Sequence, residues 1–158
     1  MLFSLLNSGV QLFKQCRYLI LHLTVVFNHA LVFGVVFHNL LLNVGPTSRG
    51  EFDYRAKDRL RSMGEWMHGN SRAIYECGEA PDDFQAPDST LLTYNKKTNR
   101  LYMILRNYPE KVNASFMSKV KYAQFLHDGS EIKYDGEGFF MPSLRPNQEL
   151  PVVEVFLK

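Results

Sequence analysis

A chain of 158 residues with 46% apolar, 13% aromatic and 22% charged side chains has the makings of one ordinary folded domain, or a small domain joined to part of another. Wholesale disorder and collagen-like architecture are excluded by that composition. Eighteen basic against sixteen acidic residues leave a formal charge of +2, which does not suggest a dedicated nucleic-acid binder, and no aromatic and basic RNA signature is present.

The charge is unevenly placed. From Tyr18 to Ser48 no residue is formally charged, and every acidic residue lies at or after Glu51. Residues 1–38 therefore follow a different logic from the rest. The run Tyr18 to Val36 is about long enough to cross a bilayer as a helix, which takes roughly 20 residues. His22, Thr24, Asn28 and His29 interrupt it, and polar groups in hydrocarbon need internal partners. A membrane partner through residues 18–36 stays open, with Lys14 and Arg17 placing the N-terminal end on the cytoplasmic side. A secretory signal is a further alternative, although no convincing small-x-small cleavage site follows. The third reading is a buried or misassembled segment. The compartment is not determined, and Cys16 and Cys77 do not help: they permit one disulfide at most and show no zinc spacing.

From residue 39 the pattern becomes regular. Residues 39–46, NLLLNVGP, form a short apolar run ended by Gly45 and Pro46, as expected of a buried parallel strand and its exit loop. Between Asp53 and His68, the residues Ala56, Leu60, Met63 and Met67 recur at helical spacing, with Arg55, Lys57, Asp58, Arg61 and Glu65 off the stripe. Asp53 fits an N-cap, Ser48 to Glu51 also has capping-box spacing, and Gly69 is placed to end the helix. Residues 39–80 thus read as a βα unit.

Pro81, Asp82, Asp83, Pro87 and Asp88 oppose both helix and central strand, so residues 81–88 read as a linker. Beyond it the pattern is β. Leu91 to Tyr94 and Arg100 to Arg106 flank a polar turn at Asn95 to Asn99 and predict a hairpin. Val120 to Leu126, Glu131 to Tyr134 and Val152 to Leu157 are further strands, with Val153, Val155 and Leu157 on one face. Residues 89–158 are accordingly expected to form a small antiparallel sandwich.

Motifs that carry chemistry are scarce. The histidines at 22, 29, 38, 68 and 127 have no HExxH or HxxxH spacing, so no metal ligand is assigned. There is no G-x-S-x-G, Walker or G-x-G-x-x-G motif, and no cofactor is implied. Cys77 lies near Glu76 and Glu79, which discourage a thiolate. Two acids suffice for glycoside hydrolysis, but the pairs Asp82 with Asp83 and Asp128 with Glu131 sit in turns, where solvated loop acids are the default. Asn113-Ala114-Ser115 is a glycosylation sequon that matters only along a secretory route.

The order Asn39-Leu40-Leu41-Leu42-Asn43-Val44-Gly45-Pro46-Thr47, Arg49-Gly50, Leu60 to Trp66 and Ala73-Ile74-Tyr75 resembles the C-terminal end of the α-L-fucosidases of glycoside hydrolase family 29. Leu92 to Tyr94, Asn99 to Tyr102, Val120 to Leu126 and Pro151 to Lys158 resemble the same family's C-terminal β domain, in the same order, so the likeness covers about residues 39–158. The resemblance implies an α+β fragment: the last βα unit of a (β/α)8 barrel followed by a C-terminal antiparallel β-sandwich domain. A whole barrel needs roughly 250 residues and does not fit.

The family retains anomeric configuration with an Asp nucleophile and a separate acid/base carboxylate, both upstream of the part resembled. No position here matches either, so no catalytic residue is assigned. Barrel sites form at the C-terminal ends of strands, which puts Asn43 near the sugar pocket of a complete enzyme, or else simply hydrogen-bonded to the barrel rim. The substrate implied is a fucosylated glycan. Residues 1–38 depart from the family pattern: Phe37-His38 replaces a glycine pair, and the upstream run lacks charge. The alternative from another class is a membrane-tethered β-sandwich that binds carbohydrate or serves as a structural module, with Tyr94, Tyr102 or Tyr122 stacking on sugars or, as strand tyrosines commonly do, packing across strands.

Overall fold

The structure, a computed structural model, describes residues 45–158. The expected strand at 39–46 therefore falls almost wholly outside the described residues, as do Asn43 and the run at 18–36. Among the described residues no helix is long and apolar enough to cross a membrane.

The first element is helix α1, Tyr54–Asn70, two residues longer at its C-terminal end than the apolar stripe implies. Asp53 caps it: its Oδ1 accepts from the Arg55 backbone N–H at 2.8 Å, satisfying one of the donors that a helix start leaves without a partner. Gly69 does not end it. The helix runs on to Asn70 and tightens into a 3-10 turn at Ser71–Ala73.

Eight strands follow: β1 (Gly78–Glu79), β2 (Thr90–Asn95), β3 (Arg100–Leu105), β4 (Lys111–Asn113), β5 (Val120–Phe125), β6 (Lys133–Tyr134), β7 (Gly138–Phe140) and β8 (Val152–Leu157). They make a five-stranded sheet in the order β1-β2-β3-β8-β5 and a three-stranded sheet in the order β4-β7-β6, every pairing antiparallel. The whole is a small α+β piece consistent with a β-sandwich. The β2–β3 hairpin closes where the polar turn predicted it, because Asn95 Oδ1 accepts from the backbone N–H groups of Lys97 and Thr98 at 3.0 and 3.2 Å. Asn99 then takes the left-handed backbone conformation (φ 53°) that asparagine tolerates better than most residues.

The main core lies between the sheets. Leu92, Leu101, Met103, Phe125, Val153 and Val155 of the large sheet meet Val112, Phe116 and Phe139. Phe84, from the stretch at 81–88, joins this core with its ring centroid 5.4 Å from that of Phe116. A second cluster covers the other face of the large sheet, where Trp66 and Ala73 pack on Tyr102, Ile104, Leu126, Leu150 and Val152. Because both faces are covered, β3 is buried from Leu101 to Leu105 without the polar alternation of a half-exposed strand.

Candidate functional site

Antiparallel register arranges the face toward α1 in three rows. The first is apolar: Leu91, Ile104 and Val152, with Leu126 bonded through its N–H to the Val152 carbonyl at 2.9 Å. The second reads Thr93, Tyr102, Glu154, Gln124, and the third Asn95, Arg100, Phe156, Tyr122. Trp66 and its neighbours cover the first row. Tyr102, Glu154 and Gln124 of the second row and Asn95, Arg100 and Phe156 of the third floor a cavity of about 460 Å³, walled by Arg72, Tyr75 and Glu76 from the turn after α1.

Glu154 is the centre of this arrangement. It is 2% exposed, in a strand whose other residues are apolar. A carboxylate so placed requires several partners, since an unpaired buried charge is very costly. Gln124 Nε2 donates to Glu154 Oε2 at 2.8 Å and the Tyr102 hydroxyl to Oε1 at 3.4 Å. The guanidinium groups of Arg72 and Arg100 stand 3.6 and 3.7 Å from Oε1. Arg100 also lies over the Phe156 ring, 3.6 Å from its centroid, and the Tyr122 ring meets the same Phe156 at its edge. Burial, and then the Glu154 charge, push the Tyr102 phenol up to about 12, so it remains a neutral donor at any ordinary pH.

Further bonds join the helix to the same face. Trp66 Nε1 donates to the Leu150 carbonyl at 2.8 Å, Thr93 Oγ1 to the Ala73 carbonyl at 2.6 Å, and Asn70 Nδ2 to Gln148 Oε1 at 3.2 Å. Chemically this is a clamp. One carboxylate is committed to four side chains on two neighbouring strands and a turn, and the other carboxylate in the wall, Glu76, is exposed and paired with Lys97 at 3.4 Å.

The acids singled out from the sequence lie elsewhere. Asp83 pairs with Lys119 at 2.8 Å, and that bond holds its carboxyl below the usual range. Asp82 is exposed. Burial works against the Asp128 carboxylate, but the backbone and hydroxyl of Ser130 and the neighbouring His127 outweigh it and lower the group. Glu131 is exposed and bridges to Gln124 through the backbone. Neither Asp83 nor Asp128 has the raised affinity for a proton that a general acid needs. Cys77 is a half-buried free thiol pushed up by burial, then by Glu76 against the opposing effect of Thr93. Among the described residues no three potential metal ligands gather. Tyr102 is buried, Tyr94 stacks on Phe84, and Tyr122 packs on Phe156, so all three tyrosines serve packing.

Comparison with known proteins finds likenesses in both sequence and fold. The model of the family described as alpha-L-fucosidase matches residues 34–72. The plasma alpha-L-fucosidase of Pongo abelii is 37% identical over 73 residues, 45% of this chain and 16% of that protein, and the alpha-L-fucosidase of Branchiostoma floridae is 36% identical over 74 residues. Among solved structures, alpha-L-fucosidase isoenzyme 1 from Paenibacillus thiaminolyticus superposes with a TM-score of 0.68 at 28% identity, over 76% of this chain and 31% of that one.

In sequence and in fold the chain is similar to part of an α-L-fucosidase.

A second α-L-fucosidase, the GH29 enzyme of Bacteroides thetaiotaomicron, superposes with a TM-score of 0.64 at 25% identity. The chain spans about a sixth of the length of the curated relatives it matches and under a third of the solved ones, and so corresponds to a fragment of an α-L-fucosidase. The Glu154 clamp was not anticipated from the sequence of this fucosidase fragment. Its signal was present: one acid in the strand Val152 to Leu157, on the face opposite Val153 and Val155, with basic residues at positions 72 and 100.

Proposed function

We propose that this chain is the C-terminal portion of a retaining glycosidase that releases terminal α-L-fucose from glycans, and that alone it does not complete the reaction. Residues 39–80 are the terminal βα unit of the barrel, 81–88 the linker and 89–158 the appended β-sandwich. On this reading Asn43 sits near the sugar pocket of the complete enzyme.

The observation that carries the proposal is the superposition on α-L-fucosidases over 76% of the chain. The apolar stripe on α1 supports the barrel origin of the helix: Ala56, Met63 and Met67 are only half-buried and Leu60 is exposed, which leaves a face suited to further packing. The Bacteroides relative was captured as a covalent intermediate with 2-fluoro-fucosyl fluoride, as a retaining mechanism requires. That mechanism takes two carboxyl groups about 5 to 5.5 Å apart across the glycosidic bond. Here Glu154 is bound into the clamp, and Asp83 and Asp128 are paired in loops.

The role of the described residues is then to hold the last barrel helix on the β domain. Trp66, Thr93 and Glu154 join α1 and its following turn to the sheet through directed bonds. The test is hydrolysis of an aryl α-L-fucoside by the purified chain. No release is expected, whereas robust release surviving substitution of Asp82, Asp83, Asp128 and Glu131 overturns the proposal.

A further inference from the structure

Asn113-Ala114-Ser115 is the single Asn-X-Ser/Thr triplet in the 158 residues, with alanine, not proline, in the middle. The structure adds what the triplet alone does not tell. Asn113 ends strand β4, whose burial alternates: Val112 points into the core, while Asn113 is exposed. No described residue bonds the Asn113 side-chain amide, and Ser115 is exposed as well.

The strand beside it leaves room. Asn113 is paired with Gly138 of β7, and a Cβ there would press on the Val112 carbonyl oxygen and lie 2.9 Å from the Asn113 Cα. Glycine is therefore required at 138, and it presents no side chain opposite Asn113. Two residues further along, Phe140 is 44% exposed, with the Lys111 ammonium 5.0 Å from its ring centroid. A group attached to Asn113 thus meets a bare strip of backbone flanked by an aromatic face, on the side of the small sheet away from the core. Diagonal neighbours across antiparallel strands are about 7–8 Å apart, within reach of a pyranose ring.

We propose that Asn113 is an acceptor for an N-linked glycan when the chain enters a secretory lumen. In that transfer Nδ2 bonds to the anomeric carbon of N-acetylglucosamine in a lipid-diphosphate oligosaccharide donor. The bond from that carbon to the diphosphate oxygen breaks, the lipid diphosphate leaves, and the amide gives up one proton to a base of the transferase. The Ser115 hydroxyl is the element the transferase reads. This inference does not rest on fucosidase activity.

The test is translation of the full chain behind a cleavable signal peptide in the presence of microsomes. Removal of the signal reports entry, and Glu149→Thr, which creates a second sequon at the exposed Asn147, reports access to the transferase. One step of reduced mobility is expected for the unsubstituted chain, reversed by peptide-N-glycosidase and absent in Asn113→Gln and Ser115→Ala. The folded chain should carry the glycan without penalty, unfolding at a temperature no lower than that of Asn113→Gln. Signal removal and modification of Glu149→Thr at Asn147 alone, with Asn113 bare, overturn the proposal, as does a glycosylated chain that has lost its fold.

Discussion

On one face of the five-stranded sheet Met103, Val153 and Phe125 meet the small sheet in an entirely apolar core; on the other, the same three strands present Tyr102, Glu154 and Gln124. One face gains by removing hydrocarbon from water and is indifferent to direction. The other is held by a carboxylate whose value depends on where its partners stand. Strands β3, β5 and β8 thus carry a dry side and a polar side, and the contrast predicts different responses to mutation.

The largest loss is expected on the dry side. Phe125 is 2% exposed, and Phe125→Ala opens a cavity that the sheets cannot close, at a cost of about 3–5 kcal/mol in denaturant unfolding. Trp66 is the sole tryptophan and lies at the junction of helix and sheet, so its fluorescence follows the polar side while circular dichroism follows the strands. A cost below 1 kcal/mol would mean that the two sheets do not share one close-packed core.

Glu154→Ala should cost less, about 1–3 kcal/mol, because it leaves Gln124 and Tyr102 with donors unmet while the two arginines keep part of their hydration. The contrast sharpens in the pair Glu154→Leu with Gln124→Leu. Replacing donor and acceptor together by apolar groups is expected to recover most of the loss, since the net value of a buried charge network over hydrocarbon is small. If the double variant is as unstable as Glu154→Ala, the cost lies in lost shape and not in unmet hydrogen bonds.

The same contrast explains what was legible in the sequence. Helix α1, the β2–β3 hairpin, β5 and β8 were readable because period and turn chemistry are local: Ala56 to Met67 repeat at helical spacing, and Asn95 and Asn99 build their own turn. Strands β4 and β7 have three residues each and β1 has two, too short for alternation to declare itself, while of the strand expected at Glu131 to Tyr134 the half Lys133–Tyr134 forms β6. Alternation in β3 showed which residues share a face, but not that both faces are covered, which depends on Trp66 and Leu150 from distant positions. The clamp was hidden for the same reason: Arg72, Arg100, Gln124 and Glu154 are far apart in the chain and are brought together only by register. Gly69 misled because helix termination by glycine yields to tertiary packing, here against Gln148 and His127.

The smallest effect belongs outside both faces, in the turn of the small sheet. The Asp135 carboxyl is lowered to about 2, first by its bond with Lys111 Nζ at 2.9 Å and then by the backbone N–H groups of Glu137 and Gly138, each at 2.8 Å. The unfolded group titrates near 3.9. A depressed folded value means that the ionised carboxylate favours the native state: its contribution is complete above about pH 4 and is lost as pH falls through about 2. Asp135→Asn keeps an oxygen to accept from both N–H groups and removes only the charge. Its stability should therefore be flatter than that of the unsubstituted chain between pH 4 and 2, with little difference in molar salt, where an exposed pair is screened. Identical slopes for the two chains would show that Lys111 is satisfied by Glu137, 3.0 Å away, and that the turn is held by its backbone bonds alone.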